Sequence, residues 1–395
     1  MAPRRNQRTG TRRWVEWTAS RLTDPVLRLR FLKLVAPSEA AAGARRPRVA
    51  LYVVPALLSA AAACLLLARA SGWAVGSVPA PVSLLRRPMA RPDGIPVVWQ
   101  VEQRGESETY SNGLRIDNRF AVSARPRSYL AFRAGQPDDG TGIRRSDPAG
   151  IVFHATESQM APFEAQQNRA LQRIGESLLE YVRRRRAYNF LIDRFGRVYR
   201  VVVETDAANH AGHSVWSDEK WLYINLNNSF LAVSLETQTA EGQPEAALNP
   251  GQIRAAAMLA EMLRWRYHIA AGNCVTHAQV SVNPANMQVG YHTDWASSFP
   301  FEQLGLPDNY AKSLPALSVF GFEYDSNFLR SAEGRMYTGI ELAMEELRDR
   351  AARAGRTPDE YRRGLQKRYR DKVALLDRLK SQAEKLHREE AFTFE

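Results

Sequence analysis

The chain of 395 residues contains seven histidines, and five of them stand beside predicted strand or helix ends. These five are His154, His210, His213, His277 and His292. Histidine can ligate a metal or transfer a proton near neutral pH, and loops at the ends of rigid elements commonly carry functional groups. A lone histidine is more often a structural residue hydrogen-bonded to backbone. A function is therefore indicated only if several of these side chains meet at one place.

A carboxylate follows the last of these histidines, because Asp294 stands two residues after His292 in GYHTDWASSF. If this segment is extended, the two side chains share a face and can converge on one site. Two histidines and one carboxylate leave a tetrahedral zinc ion with an open position for water, which is the ligand count of a hydrolytic site. The sequence has no HExxH helix and no CxxC pair, so the ligands would have to come from separate parts of the chain.

The elements that must position these residues begin with IVFHAT, which has the pattern of a short buried strand with His154 near its end. The segment 163–184 has the apolar spacing of an amphipathic helix. The following AYNFLIDRFGRVYRVVV predicts two strands joined by a turn at residues 194–196.

Two further elements follow. FLAVSLET is predicted as a strand with Ser234 and Glu236 on one face, and Asn249-Pro250 is a typical helix start. Strands and helices in this interleaved order predict an α/β fold with a mixed central β-sheet flanked by helices.

Five blocks of this sequence resemble, in their order, the type 2 N-acetylmuramoyl-L-alanine amidases and the related peptidoglycan recognition proteins. The blocks are IVFHAT, AYNFLIDRFGRVYRVV, NHAGHSVW, NNSFLAVSLE, and THAQVSVNP with HTDWASSFPF. The resemblance covers roughly residues 150–305 and implies the fold of that family, a zinc amidase domain. It also implies Zn²⁺ as the cofactor and peptidoglycan as the partner.

By this resemblance the zinc ligands are His154, His277 and Asp294, with His292 as the alternative third ligand. Two departures accompany the assignment. Thr276 stands where the family usually has a glycine before its second histidine, and Asp294-Trp295-Ala296 stands where it usually has Asp-Pro-Gly.

The resemblance also implies the catalytic and substrate-binding residues. The catalytic residues would be Glu236, Tyr188 and His292, and the substrate-binding residues His210, Asn189 and Thr156. The family's glutamate base matches Ser234, so either Glu236 acts as the base or the enzyme does without one, as family members that rely on a tyrosine do.

The implied reaction is hydrolysis of the amide between N-acetylmuramic acid and L-Ala of the stem peptide. Zinc would activate water and polarise the carbonyl, Glu236 or Tyr188 would handle the proton, and His292 would donate to the tetrahedral oxygen. Two other functions stay open. One is a peptidoglycan-binding module without catalysis, and the other is a tether that recruits cell-envelope proteins.

The N-terminal part predicts a membrane anchor. Residues 1–48 carry twelve Arg and Lys against three Asp and Glu, and the next twenty residues contain no charge. An apolar stretch of this length can cross a bilayer as a helix, and a signal peptide would have a shorter basic region and a shorter apolar core. We therefore expect a cytoplasmic tail over 1–48, a transmembrane helix over 49–69 and a linker over 70–95. The positive-inside rule places the remainder outside the cytoplasm.

The bulk composition is that of a folded protein. It is 45% hydrophobic and 24% charged with a net charge of +12, and because the basic block abuts the apolar stretch, topology and anionic lipid explain the charge better than nucleic-acid binding. Only Cys64 and Cys274 occur, so no disulfide framework is expected.

The predicted domain spans 96–310, with an N-terminal β extension over 96–149. A C-terminal helical region follows over 327–392, with helices near 331–353 and 357–390. These helices could fold back on the domain as a hairpin, self-associate, or bind another protein.

Overall fold

The computed structural model describes residues 94–136, 141–239 and 248–392, with side chains described to residue 382. The predicted cytoplasmic tail, the predicted transmembrane helix at 49–69 and nearly all of the predicted linker lie outside these residues. Among the helices that are described, none combines the length and the apolar character needed to span a bilayer.

Short strands dominate the first two thirds of the described chain. In chain order they are β1 (Gln100–Arg104), β2 (Ser107–Tyr110), β3 (Arg115–Asp117), β4 (Arg125–Pro126), β5 (Tyr129–Arg133), β6 (Ile143–Arg145), β7 (Gly150–Ala155), β8 (Phe190–Ile192), β9 (Val198–Arg200), β10 (Asp206–Ala207), β11 (Val215–Ser217), β12 (Trp221–Ile224), β13 (Phe230–Leu235), β14 (Cys274–Thr276), β15 (Val282–Asn283) and β16 (Gln288–Val289).

Helices separate these strands and form the C-terminal part. They are α1 (Asn168–Arg185), α2 (Leu226–Ser229), α3 (Pro250–Tyr267), α4 (His277–Val280), α5 (Pro315–Ser318), α6 (Ser326–Ser331), α7 (Arg335–Arg353) and α8 (Pro358–Phe392). The predicted start of α3 is confirmed, since Asn249 and Gln252 form a reciprocal capping box and Pro250 is the first helical residue.

Eight strands form the central sheet, in the order β1-β2-β3-β9-β8-β13-β7-β14. The neighbours β8, β13, β7 and β14 are parallel, whereas β8 and β9 form the antiparallel pair predicted on either side of residues 194–196. The strands β1 to β3, from the predicted N-terminal extension, enlarge the same sheet. The sheet is therefore mixed, as predicted.

The middle of the sheet is covered on both faces, because every residue of β7 and β13 is buried. Ile151 and Phe153 of β7 point to the face on which α3 packs with Ala256 and Leu259. Since side chains alternate along a strand, Val152 and His154 point to the opposite face. The predicted α/β architecture with flanking helices is confirmed.

The opposite face is shared between two clusters. Leu179 and Val182 of α1 cover Leu191 and Val201, while Val152, Phe230 and Val275 pack against Trp216 and Tyr223. Trp216 and Tyr223 belong to a second sheet of four antiparallel strands, β11-β12-β5-β6. His154 lies on this same face, two residues after Val152, and belongs to neither cluster.

The C-terminal helices pack on the domain, which is the fold-back arrangement among the predicted alternatives. Gly339 of α7 lies so close to the domain that an added Cβ would be 2.4 Å from the backbone oxygen of Lys312. In α8, the ring of Tyr369 contacts Phe322 at a centroid distance of 4.9 Å, and the ammonium of Lys372 lies 4.2 Å above the ring of Phe132. One face of each of these helices is therefore part of the hydrophobic core.

Candidate active site

His154 stands at the carboxyl end of β7, where the strand leaves the sheet. It is 1% exposed, and the parallel neighbour β13 pairs with it at Ser234. Burial lowers the pKa of His154 to about 4, and the neighbouring His277 adds to the effect. The imidazole is therefore neutral at neutral pH and keeps a lone pair for a metal ion.

His277 reaches the same place from the next strand. Strand β14 pairs with β7 at Thr276 and Phe153. The next residue along the chain in each case, His277 and His154, therefore comes side by side with the other, and their ring centroids are 4.4 Å apart. A capping box between Thr276 and Gln279 begins the short helix α4 at His277. The Nε2 atom of His277 is buried and has no hydrogen-bond partner in the described part of the chain.

Asp294 brings a carboxylate between the two histidines. Its Oδ1 lies 2.7 Å from Nδ1 of His277 and its Oδ2 lies 3.5 Å from Nδ1 of His154. The backbone N–H of Ala155 donates to Oδ2 over 3.3 Å. Burial opposes ionisation of Asp294, but His277 and His154 outweigh it and hold the pKa of the carboxyl well below its usual range.

The geometry of these three residues would allow them to hold a metal ion. Their ligand atoms lie within 4.8 Å of one another, in the part of the chain that the structure describes. Two imidazoles and one carboxylate suit Zn²⁺ and leave a coordination position open. The unpartnered Nε2 of His277 supports the fit, because an orphaned buried nitrogen is costly unless it has a ligand. His292 is outside the group, so the geometry favours Asp294 as the third ligand.

The segment around Asp294 is hydrogen-bonded to residues of the C-terminal region. Between His277 and Asp294 the chain forms the β15–β16 hairpin, which accounts for the long spacing between these residues. The N–H of Val289 donates to the oxygen of Glu323 over 2.8 Å, and Tyr310 donates through its hydroxyl to the oxygen of Trp295. Segments beyond residue 305 thus position the third candidate ligand.

His210 lies directly behind His154. Its Nδ1 is 3.1 Å from Nε2 of His154, and its Nε2 is 3.2 Å from the backbone oxygen of Leu226. Asn227 holds the loop in place, since its Oδ1 accepts from the N–H groups of residues 210, 211 and 212. A histidine whose far nitrogen is hydrogen-bonded keeps one tautomer and one ring orientation. His210 therefore positions His154, a role that the sequence did not indicate.

The ring of Tyr188 lies next to that of His154. Its ring centroid is 5.1 Å from that of His154, and its backbone is in the left-handed region at φ +61°. A tyrosine in that region is strained, and such strain is frequent at functional sites. Burial raises the pKa of Tyr188 to about 12, while Ser234 lowers it slightly, so the phenol is protonated at neutral pH.

His292 lies on the exposed side of the group. Its ring stacks on that of His277 at a centroid distance of 4.7 Å, and its backbone N–H donates to Oγ of Ser281 over 2.9 Å. The exposed ring of Tyr291 contacts it edge-on at 4.7 Å. The structure thus places His292 beside the candidate ligands, where it can meet a substrate.

Three predicted residues do not face the group, and Glu236 is the most important of them. Its Oε2 accepts from the backbone N–H of Arg194 over 2.9 Å and faces Gly175 of α1. Burial raises its pKa, and the charges that act on it belong to Asp193, Arg194 and Arg197 instead of the histidines. Glu236 shares the strand face of Ser234, as predicted, but its position under α1 does not suit a base at this site.

The other two are Asn189 and Thr156. Asn189 is fully buried, and its amide bonds the backbone oxygen of Val202 and the N–H of Ala232. It is therefore part of the strand packing and is not accessible to a substrate. Thr156 stands two residues after His154, and its hydroxyl is hydrogen-bonded to Ser158 and to the backbone oxygen of Thr237.

The comparisons with known proteins concern this same region. Residues 144–294 match the family model of the N-acetylmuramoyl-L-alanine amidases, Amidase_2. The match confirms the resemblance seen in the sequence motifs and includes all nine predicted site residues. A search of curated proteins found no match.

Several solved structures are similar to the chain. They include AMPDH3 from Pseudomonas aeruginosa in complex with anhydromuramic pentapeptide, at 20% identity over 40% of this chain and 58% of that chain, with a TM-score of 0.30. The amidase AmiD from E. coli, in complex with an anhydro-N-acetylmuramic acid peptide, is 24% identical over 40% of this chain and 56% of that chain, with a TM-score of 0.30. The chain thus spans a little over half of the length of these two structures.

The metal content of two variants tests the ligand assignment. Asp294→Ala removes a candidate ligand, so zinc retained after dialysis should fall far below one ion per chain. His292→Ala removes a ring outside the group and should keep zinc near the wild-type level. Elemental analysis of the purified proteins measures both. Zinc loss in the His292 variant together with retention in the Asp294 variant would reverse the assignment.

A second pair of variants tests the positioning role of His210. His210→Ala frees the ring of His154, and outer partners of this kind typically contribute about 10- to 100-fold in metal affinity. We expect a loss in that range in a competition titration with a zinc chelator. His213→Ala is the matched control, because His213 lies in the same loop but is exposed, and it should leave the affinity unchanged. Equal affinities for both variants would contradict the role.

Proposed function

We propose that this protein is a zinc-dependent N-acetylmuramoyl-L-alanine amidase that hydrolyses the amide between N-acetylmuramic acid and L-Ala in peptidoglycan. One observation carries the proposal: His154, His277 and Asp294 converge within 4.8 Å, inside the segment that matches the amidase family model. The crystallised complexes of similar proteins with anhydromuramyl peptides supply the substrate class that we propose for this chain.

In the proposed site, His154, His277 and Asp294 would hold Zn²⁺. Zinc in such a setting supplies Lewis-acid polarisation of a carbonyl and a lowered pKa for water. Since the site is largely buried, hydrogen bonds to the reacting atoms are stronger there than in bulk water.

The chain's own groups would then act around the scissile amide. Tyr188 stays protonated at neutral pH, so its hydroxyl suits the donation of a hydrogen bond to the oxygen that becomes negative as the carbonyl is attacked. His292, on the exposed side, suits transfer of a proton to the leaving amine. His210 holds the ring of His154.

A second candidate is a peptidoglycan-binding module without catalysis. It is favoured by one observation, that Ser234 occupies the strand position where the family's glutamate base is expected and that Glu236 faces Arg194. If the protein is catalytic, it would therefore rely on Tyr188. A binding module would need neither a glutamate base nor Tyr188.

We also propose a location for the reaction. The apolar segment 49–69 would anchor the chain in the cytoplasmic membrane, with residues 1–48 inside and the amidase domain on the extracytoplasmic side. Peptidoglycan lies on that side, so the proposed topology and the proposed substrate agree although they rest on different residues.

Release of new L-Ala amino termini tests the proposed reaction. The full chain, solubilised in detergent and loaded with zinc, is incubated with purified peptidoglycan, and free amino termini are identified by labelling. We expect release that stops when a chelator is added and is absent in His277→Ala. Retention on peptidoglycan without any release by the zinc-loaded protein would leave the binding module as the function.

The catalytic roles are tested by two conservative variants. Tyr188→Phe removes only a hydroxyl, and loss of one donor to an oxyanion typically lowers kcat by about 10²- to 10³-fold. Glu236→Gln keeps an oxygen for the N–H of Arg194 and should change kcat little. Rates of L-Ala release at saturating substrate measure both. A large loss in the Glu236 variant with an active Tyr188 variant would assign the base to Glu236.

A further inference from the structure

A cavity opens at the end of the sheet opposite His154. Its volume is about 520 Å³, within the range of small-molecule sites in proteins. It is bounded by Ala149, just before β7, and by Asn273, just before β14. At about 3.3 Å per residue, the five residues from Ala149 to His154 span about 16 Å. The cavity is therefore separate from the candidate active site.

Aromatic side chains form much of the cavity wall. Tyr129, Trp221, Tyr223 and Tyr267 all line it. Tyr129 and Tyr223 are buried, whereas Trp221 and Tyr267 are partly exposed. The exposed parts of tyrosine and tryptophan rings are flat and apolar with a polar edge, and they suit the C–H surfaces of sugar rings. The wall therefore favours a ring-shaped ligand that is polar at its periphery.

The floor of the cavity is a preorganised polar network around Asp218. The carboxylate accepts from the backbone N–H groups of Lys220 and Trp221, each over 2.8 Å, and from the hydroxyl of Tyr223 and Nδ2 of Asn273, each over 3.0 Å. With four donors already bound, Asp218 serves to hold the wall in place. A ligand must be bound chiefly by other groups.

Two arginines supply those groups. The guanidinium of Arg145 lies 4.1 Å above the ring of Trp221, and Arg144 donates through Nη1 to Oγ of Ser128 over 2.9 Å. Neither arginine has an ion-pair partner in the part of the chain that the structure describes. Asp147 and Asp218 also line the cavity, but Asp218 already accepts four hydrogen bonds and, among the described residues, neither carboxylate is ion-paired with these arginines. The two guanidinium groups, next to aromatic side chains, can therefore bind the carboxylate of a ligand in a bidentate manner.

We propose that this cavity binds a carboxylate-bearing glycan, namely the muramyl glycan strand from which stem peptides have been removed. The inference rests on the proposed function. Hydrolysis breaks the amide C–N bond, adds the hydroxyl of water to the carbonyl carbon and returns a proton to the amine of L-Ala. Each cut thus leaves a free lactyl carboxylate on the glycan, a group that the uncut strand lacks at that sugar.

The separation between the two sites gives the cavity its role. A short fragment cannot reach from the candidate active site to the cavity, whereas a polymer can occupy both at once. Binding of cut sugars at the cavity would keep the protein on a strand that it has begun to process, because a second contact on one chain raises the effective concentration at the first.

Binding to three forms of one polymer tests the proposal. The full chain carrying His277→Ala is used, so that no form is cleaved during the measurement. The forms are peptidoglycan with intact stem peptides, the same material denuded by another amidase, and denuded material whose carboxylates have been converted to amides. We expect at least about tenfold tighter co-sedimentation with the denuded form than with the other two, since tenfold corresponds to about one charge-assisted contact.

Arginine variants assign this binding to the cavity. Arg144→Ala combined with Arg145→Ala should lower the affinity for denuded glycan about tenfold or more. Arg173→Ala, at an exposed arginine of α1, is the matched control and should change nothing. If the double variant has a lowered Tm, Arg144→Glu alone, at an exposed position, should give the same loss. Unchanged affinity in a folded arginine variant would overturn the proposal.

The remaining outcomes are equally decisive. Equal binding of the denuded and amidated forms would overturn recognition of the carboxylate, and polygalacturonate binding as tightly as denuded glycan would overturn the assignment to muramyl strands. The result does not depend on whether this chain is an amidase, because the denuded glycan comes from another enzyme and the variant is inactive. Failure of the proposed function would appear in the L-Ala release assay instead.

Discussion

The parallel pairing of β7 with β13 and β14 is the constraint on which the rest of the structure depends. Every residue of β7 is buried, so its backbone groups must be paired with neighbouring strands and its side chains must pack on both faces. Parallel pairing also brings the carboxyl ends of adjacent strands to the same edge. His154 and His277 meet because both stand at that edge, and a shift of one residue in either strand would turn one ring to the other face.

Asp294 completes the group from outside this framework. Its loop has few strand contacts of its own, and its position depends on the β15–β16 hairpin, on Tyr310 and on the segment around Glu323. The C-terminal region therefore contributes to the site without supplying a residue to it. This gives a physical reason for the helices beyond the amidase match to be packed into the same core.

The two ends of the same strands carry different chemistry. At the carboxyl end, three polar groups converge in a buried setting that suits a metal ion. At the amino end, aromatic rings and two arginines surround a cavity of about 520 Å³. Gly150, the first residue of β7, lies between Phe230 and Asn273 so closely that an added Cβ would be 2.0 Å from the Phe230 ring. Tight packing of this kind keeps the two ends of the strands in a fixed relation.

The sequence by itself determined the local features of this protein. Apolar runs and alternation indicated β7 and β13, and the Asn249-Pro250 start indicated α3. The order of motifs indicated the amidase resemblance and, through it, His154 and His277 as ligands with Asp294 or His292 as the third. These succeed because strand faces and helix starts depend on residues close together in the chain.

The tertiary structure alone decided what each polar side chain contacts. Glu236 and Ser234 share a strand face, yet Glu236 lies beneath α1 while Ser234 lies near Tyr188. Asn189 follows Tyr188 directly, but its side-chain amide is hydrogen-bonded to backbone groups. His210 is hydrogen-bonded to the ring of His154, 56 residues earlier in the chain. Asp294 and not His292 joins the group, because segments beyond residue 305 set the direction of its loop. Such contacts join residues far apart in the chain, and no local pattern encodes them.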